Sequence, residues 1–311
     1  MQNSLKNRSV EHKSEKSPFS LGKFFNNENT VGYVFAAPFI LGFLAFTLVP
    51  MLLSLYYSFT NFNLRSEPTW IGLENYIRLF QDTRFLNSVW VTLRFVIVSV
   101  PLRLAFGLLV AYLLTRKAKG VSFYRALYYL PTLIGGSIAV AIVWRELFAR
   151  NGAVNVMLGG LGIEGVNWFG DPNMAMVPLI LMSIWQFGSS MIIFAAGLKE
   201  IPNELYEAAT VDGANKVQLF FRITLPCLGP VILYNLIMQT ISAFMTFTQA
   251  FVITGGGPSD STNFVALYTY NHAFNFFNMG YASAMSWVML VVIGGVTAII
   301  LKTSKKWAYN D

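Results

Sequence analysis

Glu207-Ala208-Ala209-Thr210-Val211-Asp212-Gly213-Ala214-Asn215-Lys216-Val217-Gln218-Leu219-Phe220-Phe221-Arg222-Ile223-Thr224-Leu225-Pro226 is a polar, jointed stretch set between two long apolar segments. Pro202 suits a helix's first turn, Glu204 and Glu207 favour its positive end, and Leu205, Ala208 and Ala209 recur at i, i+3 and i+4. Asp212-Gly213 is a turn signal, the glycine permitting a positive φ. A second short helix follows, with Val217, Phe220 and Phe221 on one face and Lys216 and Arg222 near its ends, and Pro226 closes it. A bare connection would need only a few polar residues. The pattern predicts a compact helix-turn-helix joined rigidly to its neighbours and suited to passing motion to a soluble partner. An amphipathic helix lying on lipid would share it.

The flanking sequence places this element in a membrane protein. The chain has 311 residues, of which 55% are hydrophobic and 12% charged, a composition that excludes an ordinary soluble domain. The apolar residues gather into six runs, each long enough to cross a hydrocarbon core about 30 Å thick. They cover Val31 to Phe59, Ser88 to Thr115, Phe123 to Phe148, Met174 to Leu198, Cys227 to Thr254 and Tyr281 to Leu301. Pro38, Pro50, Pro101, Pro131, Pro178 and Pro230 fall inside them. In a bundle, neighbouring helices and hydroxyls re-satisfy the carbonyls that proline frees, which predicts kinked helices around a cavity.

The net charge of +7 reads as topology and not as a nucleic-acid footprint. Lys6, Arg8, Lys13, Lys16 and Lys23 precede the first run; Arg116, Lys117 and Lys119 follow the second; Lys199, Lys216 and Arg222 lie between the fourth and fifth; Lys302, Lys305 and Lys306 follow the sixth. The opposite connections hold only Arg65, Arg78, Arg84 and Arg150, so both termini are expected in the cytoplasm. The first apolar run starts too late and is too long for an export signal. The single cysteine, Cys227, excludes an intramolecular disulfide and a multi-cysteine metal site. The expected organisation is a cytoplasmic tail over 1–30, disordered up to Phe24-Phe25, a transmembrane domain over 31–301 and a second tail over 302–311.

On the outer side, Asn61 to Asn87 holds enough apolar material for a small cap or interfacial helix, and Trp168-Phe169 is placed like an interfacial anchor. Gly255-Gly256-Gly257-Pro258 opens the last outer connection, which continues through Tyr268, Tyr270, Phe274, Phe276 and Phe277. A partner-docking loop and an aromatic belt at the membrane surface fit this run equally.

The pattern E-A-A, three residues, G, nine residues, I-x-L-P is matched by Glu207, Ala208, Ala209, Gly213, Ile223, Leu225 and Pro226. It resembles the EAA loop of permease subunits in binding-protein-dependent ABC importers, and the resemblance extends from about Val31 onward. Ala37-Pro38-Phe39, Leu130-Pro131, Gly255-Gly256-Gly257-Pro258 and Gly280-Tyr281-Ala282-Ser283-Ala284 are similar to carbohydrate-type permeases, of the maltose-transport F-subunit kind. The resemblance implies an all-α membrane protein: a six-helix transmembrane bundle of the type I ABC importer permease kind, with the loop over 199–226 as cytoplasmic coupling helix. It implies a bacterial cell-membrane location and four partners: a second permease, two ATPase subunits and an extracytoplasmic solute-binding protein. ATP and Mg would be bound by the ATPases, because this chain has no G-x-x-x-x-G-K-[S/T] phosphate loop and no cofactor of its own is expected.

A translocated polar solute needs hydrogen-bonding groups inside the bundle. Gln239, Ser242, Thr246 and Gln249 fall on one stripe of the fifth run, and the fourth contributes Trp185, Gln186, Ser189 and Ser190, an aromatic face beside amides and hydroxyls. By register within the resemblance, Gln239, Ser242, Thr246, Trp185, Gln186 and Ser189 are expected to line a carbohydrate pathway. The same hydroxyls could instead bond their own helix carbonyls, and the glutamines could bridge helices. Arg103, near the centre of the second run, is expected to pair with a carboxylate, line the pathway or greet an acidic sugar; Glu146 is the only acid within the six runs. No constellation for covalent chemistry or metal binding is present, His272 reads as a lone imidazole, and the chain is not expected to be an enzyme. A secondary transporter or channel is the reading from a different class, but neither inverted repeats nor paired intramembrane acids support it. An importer of a non-sugar solute such as a glycerol phosphate remains open.

Overall fold

The computed structural model describes residues 28–115, 120–305 and 307–308. The expected N-terminal tail, except 28–30, and Arg116, Lys117, Lys119 and Lys306 lie outside the described residues. The chain divides into two compact units, Met1–Ser54 and Leu55–Asp311. The first contains α1 (Glu28–Phe43), which carries Pro38, a π turn (Leu44–Leu48) and the start of α2 (Val49–Ser58), whose last residues belong to the second unit.

The second unit opens with an antiparallel pair, β1 (Thr60–Asn61) against β2 (Thr69–Trp70), in the register Thr60↔Trp70. α3 (Glu74–Gln81) follows, the short outer helix expected between Asn61 and Asn87. The pillar of the unit is α4 (Thr83–Leu114), 32 residues and therefore about 48 Å long, well beyond the apolar thickness of a bilayer. Pro101 is accommodated within it. Its buried face, including Phe95, Val100, Leu104 and Ala111, packs against α8 (Met176–Trp185), α9 (Gly188–Glu200) and α13 (Gly229–Phe244).

Three helices are each long and apolar enough to cross a membrane: Gly32–Ser58, Thr83–Leu114 and Met279–Ser304, the last being α15. The other three runs predicted as spans are broken, a correction to the continuous reading. The third run divides into α5 (Val121–Ile134) and α6 (Ile138–Leu147), bent by 99° at Gly135-Gly136-Ser137, where Ser137 caps the new helix by accepting from Val140 N–H at 3.3 Å. The fourth bends by 41° between α8 and α9. α13 meets the helix before it at 67°, and the fifth run leaves helical geometry after Phe244 before closing in a π turn (Ala250–Thr254). Broken helices at membrane depth persist only where the freed backbone groups find protein partners or a cavity.

The two ends of the second unit differ in construction. At one, Asp82 caps α4 by accepting from the backbone N–H of Arg84 and Phe85, and its other oxygen accepts from Tyr268 and Tyr281 hydroxyls at 2.8 Å each. Arg84 grips Asp260 with two bonds of 2.9 Å. The connection between the fifth and sixth spans folds inward here as α14 (Val265–Tyr270), with Phe264, Val265, Leu267 and Tyr268 buried and Val265 N–H donating to Thr92 at 3.0 Å. Tyr268 of the aromatic run is thus bundle core and Tyr270 half-buried, while Phe274, Phe276 and Phe277 stay exposed. At this end too, α7 (Ala153–Gly160) presents Asn155, which accepts from Trp168 Nε1–H at 3.0 Å, so the expected anchor is tied into its own loop.

The other end gathers the last turns of α4, the jointed element and the turn at 307–308. Tyr112 meets Phe220 edge-on at 5.2 Å, and the backbone of Ala308, itself 3% exposed, lies against Gly229.

Burial alone would raise the Asp82 carboxyl, but hydrogen bonds from Tyr268, Tyr281 and the two backbone amides outweigh it and hold the group below its ordinary value. A depressed carboxyl contributes stability that is complete above pH ~4 and lost as pH falls through the depressed value. Asp82→Ala should cost about 1–2 kcal/mol, and it should flatten the acid limb of the melting temperature against pH in purified protein.

Candidate functional site

The jointed element consists of α10 (Asn203–Val211) and a second arm made of α11 (Lys216–Leu219), a π turn (Phe220–Thr224) and α12 (Leu225–Cys227). Pro202 stands one position ahead of the first helix, in extended geometry, rather than within its first turn. The first arm ends with Ala214 N–H bonded to Ala209 O and Gly213 N–H to Thr210 O, a closure that needs the left-handed φ of +83° at Gly213. The second arm starts at a capping box, in which Asn215 accepts from Val217 and Gln218 N–H while Gln218 accepts from Asn215 N–H at 2.8 Å. Tyr206 and the buried Thr224 join the arms at 2.9 Å.

Between the arms lies a concavity of about 290 Å³, lined by Ala209, Asp212, Gly213, Ala214, Leu219 and Ile223 among others. Glu207 and Ala208 are exposed, Leu225 and Pro226 half-buried at the root. Val211, at the tip, is 88% exposed.

Deeper in the unit is a cavity of about 570 Å³, within the range of small-molecule sites. α4 supplies Phe95 and Arg103; the bend between α5 and α6 supplies Thr132 and Gly136; Ser183, Gln186 and Ser189 come from the fourth span. The fifth supplies Tyr234, Gln239, Ser242, Thr246, Thr248 and Gln249. Of the six residues expected on a pathway, Gln239, Ser242, Thr246, Gln186 and Ser189 meet here. Gln239 is 7% exposed and donates to Ser189 Oγ at 3.4 Å. Trp185 is a correction: its ring lies 5.4 Å from Trp144 and lines apolar grooves with Phe148, Leu181 and Val143. One helical step of about 100° separates it from Gln186 and turns it away from the cavity.

The bend of the fourth span organises this site. The turn at Gln186 and Phe187 leaves the Gln186 carbonyl without an amide one turn on, and two side chains replace it: Arg103 Nη2–H donates at 2.6 Å and Thr132 Oγ1–H at 3.1 Å. The pairing of Arg103 with Glu146 does not form. Glu146 is carried beyond the 99° bend onto the exposed side of α6, and the one ion pair among the described residues is Arg84 with Asp260. Ser190 turns to α4 instead of the cavity, 3.3 Å from where a Cβ on Gly107 would stand. Thr132, Ser183 and Tyr234 were missed from the sequence. Thr132 and Ser183 sit three residues before the breaks at Gly135 and Gln186, and Tyr234 extends the stripe of Ser242 by two turns.

An all-α membrane unit of broken spans around a polar cavity, with a jointed element at one end, defines a transport permease. The chain belongs to the family described as "Binding-protein-dependent transport system inner membrane component", whose pattern matches residues 104–306. It is 53% identical to a probable ABC transporter permease protein, YesP, of Bacillus subtilis over 91% of this chain and 93% of that one. It is 38% identical to SmoG, the sulfoquinovosyl glycerol transport system permease protein of Agrobacterium fabrum, over 81% of this chain and 83% of that one. In fold it matches a chain of a bacterial alginate ABC transporter solved with a pentasaccharide-bound periplasmic protein, at TM-score 0.78 and 23% identity, over 90% of this chain and 96% of that one. The expected family and fold are thus borne out, and both curated relatives are described as permease proteins.

The close crossing at Gly188 can be tested. A Cβ there would stand 2.6 Å from Tyr128 O and 2.7 Å from Thr132 Oγ1. Gly188→Val should destabilise the protein by about 1–3 kcal/mol through overpacking, read as a lower melting temperature in detergent.

Proposed function

We propose that this chain is the membrane-spanning subunit of an ATP-driven, binding-protein-dependent importer that carries a carbohydrate into the cytoplasm. It works with a second permease, two ATPase subunits that hold ATP and Mg, and an extracytoplasmic binding protein. The observation that carries the reading is the pairing of the two sites: a cavity walled by amides, hydroxyls and the single cation of Arg103, and a jointed element rooted in the same helices. Gln239, Ser242, Thr246, Gln186 and Ser189 offer donors and acceptors to sugar hydroxyls, and Phe95 and Phe247 offer apolar faces to C–H patches. The names of the sugar-transporting relatives support the substrate class.

The coupling role falls to Glu207, Ala208, Ala209, Gly213, Ile223, Leu225 and Pro226. Exposed Val211 and Val217 would be covered by an ATPase. Motion of that partner would pass through the Tyr206–Thr224 bond and the Phe220–Tyr112 contact into α4, and through the 67° joint into α13, changing the side to which the cavity opens. This subunit binds, orients and releases solute; it performs no covalent chemistry. The end bearing the jointed element and the C-terminal turn faces the cytoplasm, in keeping with Lys199, Lys216, Arg222, Lys302 and Lys305 clustering in the elements that meet there.

Reconstitution tests this directly. Uptake of saccharide into proteoliposomes should require ATP, the ATPases and the binding protein together; uptake by this chain alone would overturn the proposal in favour of a secondary transporter. Ala209→Cys should crosslink to an ATPase subunit. Gln239→Leu should lower uptake about two- to tenfold, the worth of one hydrogen bond, while the subunits still co-purify.

A further inference from the structure

Among the described residues the cavity holds one formal charge, and no acid in its wall balances it. Arg103 lines the space together with serine, threonine, glutamine and tyrosine side chains, and no aspartate or glutamate is among the described lining residues. A guanidinium carries five N–H donors and no acceptor. One Nη2–H is used on the Gln186 carbonyl, while Nε is buried without a partner. Capping the broken helix is therefore a partial account of this side chain. A neutral donor such as Thr132, already on the same carbonyl at 3.1 Å, would cap it without the cost of desolvating a charge at membrane depth. Nη1, neither bonded nor buried, leaves an uncompensated cation facing a solute-sized space, which asks for an anionic acceptor, and the planar fork of arginine matches carboxylate, sulfonate and phosphate oxygens.

We propose that Arg103 is a specificity-determining residue and that the transported solute is an acidic carbohydrate whose anionic group is received by this guanidinium. The inference rests on the reading of the cavity as the solute passage. The neutral groups of the fifth span, Gln239, Ser242 and Thr246, then take the hydroxyls, while Arg103 on the opposing pillar sets the orientation of the acid.

The test uses the complete importer in proteoliposomes. The probes are uronate, sulfonated and phosphorylated saccharides, each beside a neutral counterpart, the carboxyl-reduced sugar in the case of a uronate. The readout is the ratio of acidic to neutral uptake in wild type, Arg103→Gln and Arg103→Lys. The same binding protein feeds all three, so its own preference cancels between them. The ratio should fall about tenfold or more in Arg103→Gln, and Arg103→Lys should recover part of it. A purely structural cap would lower acidic and neutral uptake alike and leave the ratio unchanged in both variants, which would overturn the inference. Wild-type importer that carries only neutral saccharides would also overturn it while leaving the importer reading intact. ATP-independent uptake by this chain without its partners would overturn both.

Discussion

The structure turns on how a polypeptide satisfies its backbone where there is no water. At the bend of the fourth span, the Gln186 carbonyl loses its helical partner and is held by Arg103 from the second span and Thr132 from the third. One unsatisfied oxygen thus ties three spans together. Without such replacements the bend would cost several kcal/mol in hydrocarbon, and the helices would straighten and close the space between them. The cavity exists because the break does.

The bends also divide the labour of the second unit. α4 runs unbroken and carries contacts at both ends, Asp82 under the outer connection and Tyr112 beside the jointed element. The broken spans stand around it, and their joints lie at cavity depth or at the root of the jointed element. A rigid pillar with hinged neighbours moves by rearranging a few joints while the packed faces along α4 keep their contacts. The network of Asp82, Tyr268, Tyr281, Arg84 and Asp260 makes that end firm, and the proposed coupling places displacement at the opposite one.

Much of this was legible in the amino-acid order, because its strongest signals are local. The apolar runs located the membrane segments, the Asp212-Gly213 turn and the charge pattern described the jointed element, and the stripe of Gln239, Ser242 and Thr246 pointed to the cavity. The breaks were less legible. Proline marks freed backbone groups, but it does not say where a helix turns: Pro101 stays inside a continuous α4, while the sharpest bend falls at Gly135-Gly136, four residues past Pro131. Trp185 was misplaced because a break resets the helical phase, and adjacent residues then face different surroundings. The partners of Arg103 and of Asp82 were out of reach for another reason. Both sets of contacts join positions 83 or more residues apart, and no periodicity encodes a distance of that kind.

The contact between Ala308 and Gly229 ties the far end of the sixth span to the fulcrum of the fifth. Ala308 is therefore packed at the 67° joint. Under the proposed coupling, a spectroscopic reporter at Ala308 would register displacement of that joint from outside both the cavity and the jointed element, and a bulky substitution there would load it.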